Sequence, residues 1–595
     1  MSTAILTGQP VPGSSIEGDL RSLGFDVRIA SDAAETETLL ARIPGDQRVA
    51  VVDGRFVGHV HALRLGLTDP RFPLAAVPGA VTAQPAGRQA LTRAVARENS
   101  AGGGTALAVE SLADRIVTAL DADGTAVHRP ELGSLVAVVP ADPQARNEAR
   151  QAVSAVDDEA VRLKSAVKAR DGFFTTYFVS PYSRYLARWC ARRGLTPNQV
   201  TTASLFTALI AAACAATGTR GGFVAAGVLL IASFVLDCTD GQLARYSLQY
   251  STLGAWLDAT FDRAKEYAYY AGLALGAARG GDDVWALALG AMVLQTCRHV
   301  VDFSFNEANH DATANTSPTA ALSDRLDSVG WTVWIRRMIV LPIGERWAMI
   351  AVLTAATTPR VTFYALLVGC AFAATYTTAG RVLRSLTRKA QRTDRAARAL
   401  ADLADNGPLA SLVARVTPVR LGAPLLLALG GTAVLAVSLF SGVTWAPVLG
   451  AAVYTVTAGQ ALCRPLKGAL DWLVPPLFRA AEYGTVLILA AQADVNGALP
   501  AAFGLVAAVA YHHYDTVYRI RGDAGAPPAW LVRVIGGQEG RTLFVTVLAA
   551  ALTASQFKAA LTVLAVAVAL VVLLESIRFW VSAGAPAVHD EGEPA

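Results

Sequence analysis

Val200–Gly218 runs for 19 residues without a charged side chain. A helix of about 20 such residues is what crosses a bilayer, and in water it has no polar face to present. Gly221–Leu236 is a second uncharged run, and it ends at a cluster of aspartates. Further apolar runs centre on Tyr267–Ala278, Val284–Cys297, Ala348–Thr357 and Val361–Gly380. After the hydrophilic stretch Arg381–Val419 come Leu421–Phe440, Val443–Leu462, Gly484–Ala491, Leu499–Ala510, Leu543–Leu552 and Ala559–Leu574. Several are shorter than a bilayer, so their helices must continue into charged ends at the interface or in a cavity. Composition agrees: charged residues are 16% of the 595 and hydrophobic ones 53%, against about 25% charged in soluble domains. This excludes a disordered chain and an ordinary soluble globule. The fold expected is mainly α, a polytopic α-helical membrane protein of about 12 spans. The net charge of +4 gives no nucleic-acid footprint.

Residues 1–150 read differently. Short β-like runs (Ala4–Thr7, Phe25–Ala30, Val49–Val52, Leu135–Val139) alternate with helical stretches such as Ala33–Arg42 and Gly87–Arg97. That alternation predicts a small α/β domain. Asp142–Arg170 reads as a polar connecting helix. The organisation expected is therefore an α/β domain at 1–150, a linker and interfacial helix at 151–199, and a six-span membrane domain at 200–390. A basic, polar linker at 391–420, a second helical membrane block at 421–580 and an acidic tail at 581–595 follow. The six cysteines are scattered, with no CxxC pair, which argues against disulfides or a zinc site. The N-terminus MSTAILTGQPVPGSS lacks the basic and apolar regions of a signal peptide.

Orientation follows from Lys and Arg. Arg162–Arg193 carries eight basic residues and one acid, and Arg381–Arg398 seven and one. Six spans between them put both on one side. The N-terminal domain and the aspartates are expected to face the cytoplasm, in a multi-pass plasma (inner) membrane protein.

The chemistry lies in Asp237-Cys-Thr-Asp240-Gly241-Gln-Leu-Ala244-Arg245, followed by Gly254, Asp258 and Asp262. On a helix Asp237, Gly241 and Ala244 share one stripe with Asp240 beside it. Gly254, Asp258 and Asp262 share a face of the next helix. Two adjacent antiparallel helices then aim four carboxylates at one point near the membrane surface. Such a cluster repels itself and loses solvation, so a cation must offset it. All-oxygen ligands suit Mg²⁺ or Mn²⁺, and four carboxylates suffice for two such ions in phosphoryl chemistry.

This stretch resembles the CDP-alcohol phosphotransferase (CDP-alcohol phosphatidyltransferase) family, whose signature D-x2-D-G-x2-A-R-x8-G-x3-D-x3-D is complete here. A chance match is on the order of 10⁻⁹ per start site. The segment from Asp171 through Thr196-Pro197-Asn198-Gln-Val-Thr201 also looks like that family. The resemblance covers about residues 165–390. It implies transfer of a phosphatidyl or phospho-alcohol group from a CDP-linked donor, CDP-diacylglycerol or a CDP-polyol, to a hydroxyl acceptor, with release of CMP. It implies metal ligation by Asp237, Asp240, Asp258 and Asp262, with Asp262 as general base. Gly241, Ala244, Arg245, Ser251, Gly254, Asn198 and Thr201 would line the donor site, and Arg298 and His299 would meet the acceptor. Membrane lipid is the expected surrounding partner, and a homodimer is compatible with the sequence.

Two other readings compete. Membrane prenyltransferases also hold Mg²⁺ on a diphosphate with Asp-rich motifs, but about a hundred residues apart, whereas Asp240 and Asp258 are 18 apart here. A non-catalytic transporter or scaffold with a cytosolic regulatory domain explains the spans but not the signature. The N-terminal domain resembles a nucleotidyltransferase domain. Its phosphate-cradling turn is missing: Ala4-Ile-Leu-Thr-Gly8 runs into Gln-Pro-Val-Pro-Gly-Ser-Ser without Arg or Lys. It is therefore read as degenerate or regulatory. In the C-terminal block Arg479, Glu482, His512, His513, Asp515, Glu539 and Arg541 interrupt apolar sequence, and pairing among them is the expected use.

Overall fold

The computed structural model describes residues 2–101, 110–168, 171–312, 334, 338–387, 390–416 and 422–582. The acidic tail from 583 onward and the end of the 391–420 linker lie outside the described residues. The chain forms two compact units, Met1–Ala169 with Tyr182–Pro197 and Thr239–Ser251, and Arg170–Pro181 with Asn198–Cys238 and Thr252–Ala595.

The first unit is built on a five-stranded sheet. Its strands are β1 (Ser2–Thr7), β2 (Phe25–Ala30), β3 (Arg48–Asp53), β5 (Leu74–Val77) and β6 (Ala80–Ala83), in the order β2-β1-β3-β6-β5. A short β4 (Val57–Gly58) pairs with β7 (Ala137–Val138). β1 runs parallel to both neighbours, with Ile5 opposite Arg28 and Val51. Thr3 to Thr7 of β1 are all buried, the continuous run that a central parallel strand needs when both faces are covered. The helices Ile16–Ser22 and Ala33–Arg42 connect β1 to β2 and β2 to β3, so the chain leaves β1 towards one side and returns on the other.

Strands and helices appear close to where the alternation puts them, with three differences. The β5–β6 hairpin is absent from the sequence reading because Leu74–Val77 and Ala80–Ala83 are short and alanine-rich, with little β signal. It closes through Pro78-Gly79, where the φ of 78° at Gly79 suits glycine. Leu135–Val139 contracts to the two residues of β7. The single connecting helix expected at Asp142–Arg170 is two, Pro143–Ser154 and Asp158–Ser165. The Asp157 carboxylate accepts the Glu159 and Ala160 N–H groups and starts a new helix.

His61 is 3% exposed and neither ring nitrogen has a hydrogen-bond partner among the described residues. Burial first, then the neighbouring Arg162 and Arg64, pushes its pKa down to about 4. The unfolded chain therefore binds a proton below its ordinary pKa of about 6.5 that the folded unit refuses until about pH 4. Stability of this unit should fall as pH drops from 6.5 towards 4, by up to about 3 kcal/mol, and level off below. Thermal unfolding between pH 7 and 4 checks this, and His61→Leu should flatten that part of the profile.

In the second unit each of the twelve apolar runs lies mostly within a helix over its described residues. Among the described residues five helices are long and apolar enough to cross a membrane by length and composition: Pro197–Ala216, Arg220–Ser247, Pro359–Thr387, Asp471–Gln492 and Ala554–Ser582. Thr252–Arg279, Trp285–Asn309 and Ala498–Arg521 have the length but carry more charge. Ile343–Ala356, Pro424–Leu439, Ala446–Ala461 and Gly537–Ala551 are short. Gly272 and Gly276 abut the backbone carbonyls of Ala212 and Ala215, leaving no room for a Cβ. Such small residues let helices approach closely where lipid offers no hydrophobic drive to associate. One hydrophobic core extends from Ala211 and Phe234 through Trp285 and Phe363 to Phe503 and Val572, with Trp285 edge-on to Phe503 at 5.7 Å. The helices before residue 390 and those after 421 thus share a core.

Candidate active site

The aspartate-bearing helix is Arg220–Ser247, and it ends where Leu248 takes a φ of 53°. Ser251 stands exposed in the turn, and Thr252 opens the next helix, Thr252–Arg279, with Gly254 in its first turn. The left-handed Leu248 reverses the chain in the few residues between Ser247 and Thr252.

Asp237, Asp240 and Asp258 each present a carboxylate oxygen within 4.8 Å of the others. Asp240 is buried and the other two half-buried. Three hard oxygen donors this close fit a divalent cation such as Mg²⁺ or Mn²⁺. Asp262 lies one turn beyond Asp258, and Lys265 ties it to the cluster: its Nζ is 3.2 Å from Asp262 Oδ1 and also bonds Asp237 Oδ1. Lys265 is fully buried. Asp258, Asp262 and Lys265 sit at i, i+4 and i+7 on one helix face, which was the signal available in the sequence for this ammonium.

Gly241 has the Arg245 guanidinium lying over it, 3.5 Å from where a Cβ would sit. Arg245 Nε donates to the Ala166 carbonyl at 2.6 Å. Ala244 occupies the same stripe and is half-buried. Asn198 and Thr201 fall in the first turns of Pro197–Ala216, with Thr201 buried and the Asn198 carbonyl accepting from Thr202 Oγ1 at 2.7 Å.

Arg298 and His299 lie on the next helix, Trp285–Asn309. Arg298 is 6% exposed; its Nη2 donates to the Val340 carbonyl, while Nε and Nη1 have no hydrogen-bond partner among the described residues. His299 is engaged at both ring nitrogens, Nδ1 by the Tyr514 hydroxyl and Nε2 by Gln295 Nε2 at 2.7 Å. Tyr514 also lies under the Arg263 guanidinium, 5.4 Å from ring centre. Arg263 Nη1 is 2.8 Å from Glu266 Oε2, and Arg346 Nε 3.1 Å from Glu266 Oε1. Sequence reasoning missed Tyr514 and Arg346, since nothing local marks residues that reach this network from later helices.

Residues 194–375 match the CDP-alcohol phosphatidyltransferase family, which supports the resemblance carried by the aspartate signature. Among the chain's relatives is the phosphatidylinositol phosphate synthase of Streptomyces avermitilis, 36% identical over 131 residues, 21% of this chain and 51% of that protein. The bifunctional IPC transferase and DIPP synthase of Aquifex aeolicus is 31% identical over 118 residues, 19% of this chain and 26% of that protein. The archaetidylinositol phosphate synthase of Pyrococcus horikoshii is 29% identical over 113 residues, 19% of this chain and 58% of that protein. The chain spans between about a quarter and three fifths of these relatives' lengths. Residues 394–595 match a family of unknown function, DUF5941.

Proposed function

We propose that this chain transfers a phosphatidyl group from CDP-diacylglycerol to the hydroxyl of a phosphorylated polyol, releasing CMP. The observation that carries the reading is the meeting of Asp237, Asp240 and Asp258 within 4.8 Å on the complete family signature. Those three, shared with Asp262, would hold one or two Mg²⁺ or Mn²⁺ ions. Bound there, the ions supply charge neutralisation of the donor diphosphate and a better CMP leaving group.

Asp262 takes the proton of the acceptor hydroxyl. The acceptor oxygen forms a bond to the β-phosphorus as the in-line bond from that phosphorus to the bridging oxygen of CMP breaks, and CMP leaves with the electron pair of the broken bond. Lys265 fixes Asp237 and Asp262 relative to each other, which keeps base and ligand in register. Gly241, Ala244 and Gly254 leave room for the donor, and Arg245, Ser251, Asn198 and Thr201 supply polar contacts around it. Arg298 favours an acceptor that is itself an anion, because its buried guanidinium has two nitrogens without a hydrogen-bond partner among the described residues. The names of two relatives point the same way, each containing an inositol phosphate lipid.

The reaction would take place at the cytoplasmic face of the plasma (inner) membrane. Incubation with CDP-diacylglycerol, Mg²⁺ and either inositol phosphate, inositol or glycerol phosphate tests the acceptor. A lipid product with the phosphorylated acceptors and none with inositol is expected; product with inositol alone would remove the role given to Arg298.

The face is tested by labelling. Single cysteines at Thr219 and Thr387, both exposed, in a background without the native six, should react from opposite sides of the membrane. Reaction from one side would overturn the cytoplasmic placement.

A further inference from the structure

In the sheet of the first unit the strand order reverses at β1 and β3. Ligands in open α/β sheets bind in the crevice outside the carboxyl ends of two such strands. A cavity of about 130 Å³ is lined here by Gly13, Ser14 and Ser15 from the chain after β1 and by Gly58 after β3. Arg146 and Arg150 of the Pro143–Ser154 helix complete it.

Arg146 is 9% exposed and its Nε has no hydrogen-bond partner among the described residues. It forms no ion pair among the described residues, and its charged neighbour is another cation, Arg150. Arg150 Nη2 donates to the Gly13 carbonyl at 3.1 Å, which holds this guanidinium over the loop. Asp19 also borders the cavity, but its Oδ2 is taken by Ser15 Oγ at 2.7 Å. Two guanidiniums against one carboxylate leave an excess positive charge in a half-enclosed space. Burying an unpaired guanidinium is costly unless an anion shares it.

The wall is fixed. His59 is 4% exposed; its Nδ1 accepts from Val136 N–H at 2.9 Å, so Nε2 carries the hydrogen and donates to the Val153 carbonyl at 3.1 Å. This pins the end of the arginine helix to the segment after β4. The site is built in the folded chain and does not wait for a ligand to assemble it.

We propose that this cavity binds the phosphate group of a small phosphomonoester. Guanidinium forks match phosphate oxygens in charge and geometry, and the Gly13–Ser15 turn adds backbone and hydroxyl groups beside them. The volume of about 130 Å³ is enough for a phosphate group. The basic residues absent from the turn after β1 are supplied by a helix some 130 residues later. The site uses residues of the first unit alone, so it stands or falls independently of the transferase reading.

Equilibrium dialysis of the full-length protein in detergent against ³²P-labelled inorganic phosphate, at fixed ionic strength in chloride with divalent ions chelated, tests this. About one bound equivalent is expected, displaced by glycerol 3-phosphate. Arg146→Gln and Arg150→Gln should each weaken it roughly tenfold or more, and Arg146→Lys should retain part of it. Arg150 is exposed, so its substitution keeps the test valid if Arg146→Gln disturbs folding. Undiminished binding in the Arg150→Gln protein, no binding by the wild type, or displacement by CTP but not by glycerol 3-phosphate would overturn the proposal.

Discussion

Asp262→Asn should abolish turnover, by roughly 10²–10⁴-fold, the range for losing a positioned general base, while CDP-donor binding stays largely intact. Asp262 stands outside the group of three carboxylates that meet within 4.8 Å, and its Oδ1 accepts from Lys265 Nζ at 3.2 Å. Removing its charge takes away a proton acceptor and leaves Asp237, Asp240 and Asp258 in place. Asp237→Asn and Asp258→Asn should instead weaken metal and donor binding together, because each deletes one of the three convergent oxygens. Titrating donor and Mn²⁺ into each variant separates the two classes. Turnover in Asp262→Asn comparable to the wild type would remove the proposed base.

Arg541→Met should destabilise the C-terminal block by about 3–5 kcal/mol, the cost of breaking a buried ion pair from one side. Arg541 reaches Asp405 Oδ2 at 2.6 Å and Glu482 Oε1 at 2.5 Å. Arg479 reaches the same two acids at 3.3 and 2.9 Å. All four are buried, and two cations balance two anions. Without Arg541 one guanidinium must serve two carboxylates out of water. Thermal unfolding in detergent should show a fall of roughly 10 °C. Adding Glu482→Met to the variant should recover part of it, since an apolar replacement of both partners avoids the stranded charge. An unchanged unfolding temperature would mean the network contributes nothing to stability.

This network marks where the sequence was readable and where it was not. Arg479 and Glu482 pair at i, i+3 as their spacing suggests. Their other partners, Asp405 and Arg541, come from segments 74 and 59 residues away, and no local pattern announces such pairings. Glu539 is not part of the four; it caps the Gly407 and Ala410 N–H groups at 3.0 Å. The aspartate site was legible because its geometry is local: two helices joined by a short turn carry every carboxylate, and period 3.6 sets the facing residues. The parallel core of the sheet was legible for the same reason, through apolar runs such as Val49–Val52. Tyr514 against His299 was not, because it rests on packing between helices over 200 residues apart in sequence. The number of membrane crossings is likewise a matter of how helices of 14–16 residues are sheltered by neighbours, and apolar length alone does not set it.

The central claim is tested most directly by release of CMP. Purified full-length protein with CDP-diacylglycerol, Mg²⁺ and an inositol phosphate should produce CMP and one lipid product in equal amounts. It should produce neither when acceptor is omitted, when divalent ions are chelated, or when Asp237, Asp240 and Asp258 are all changed to Asn. Absence of CMP with CDP-diacylglycerol and with a soluble CDP-polyol, across every hydroxyl acceptor supplied, would contradict the account and leave a membrane scaffold in place of an enzyme.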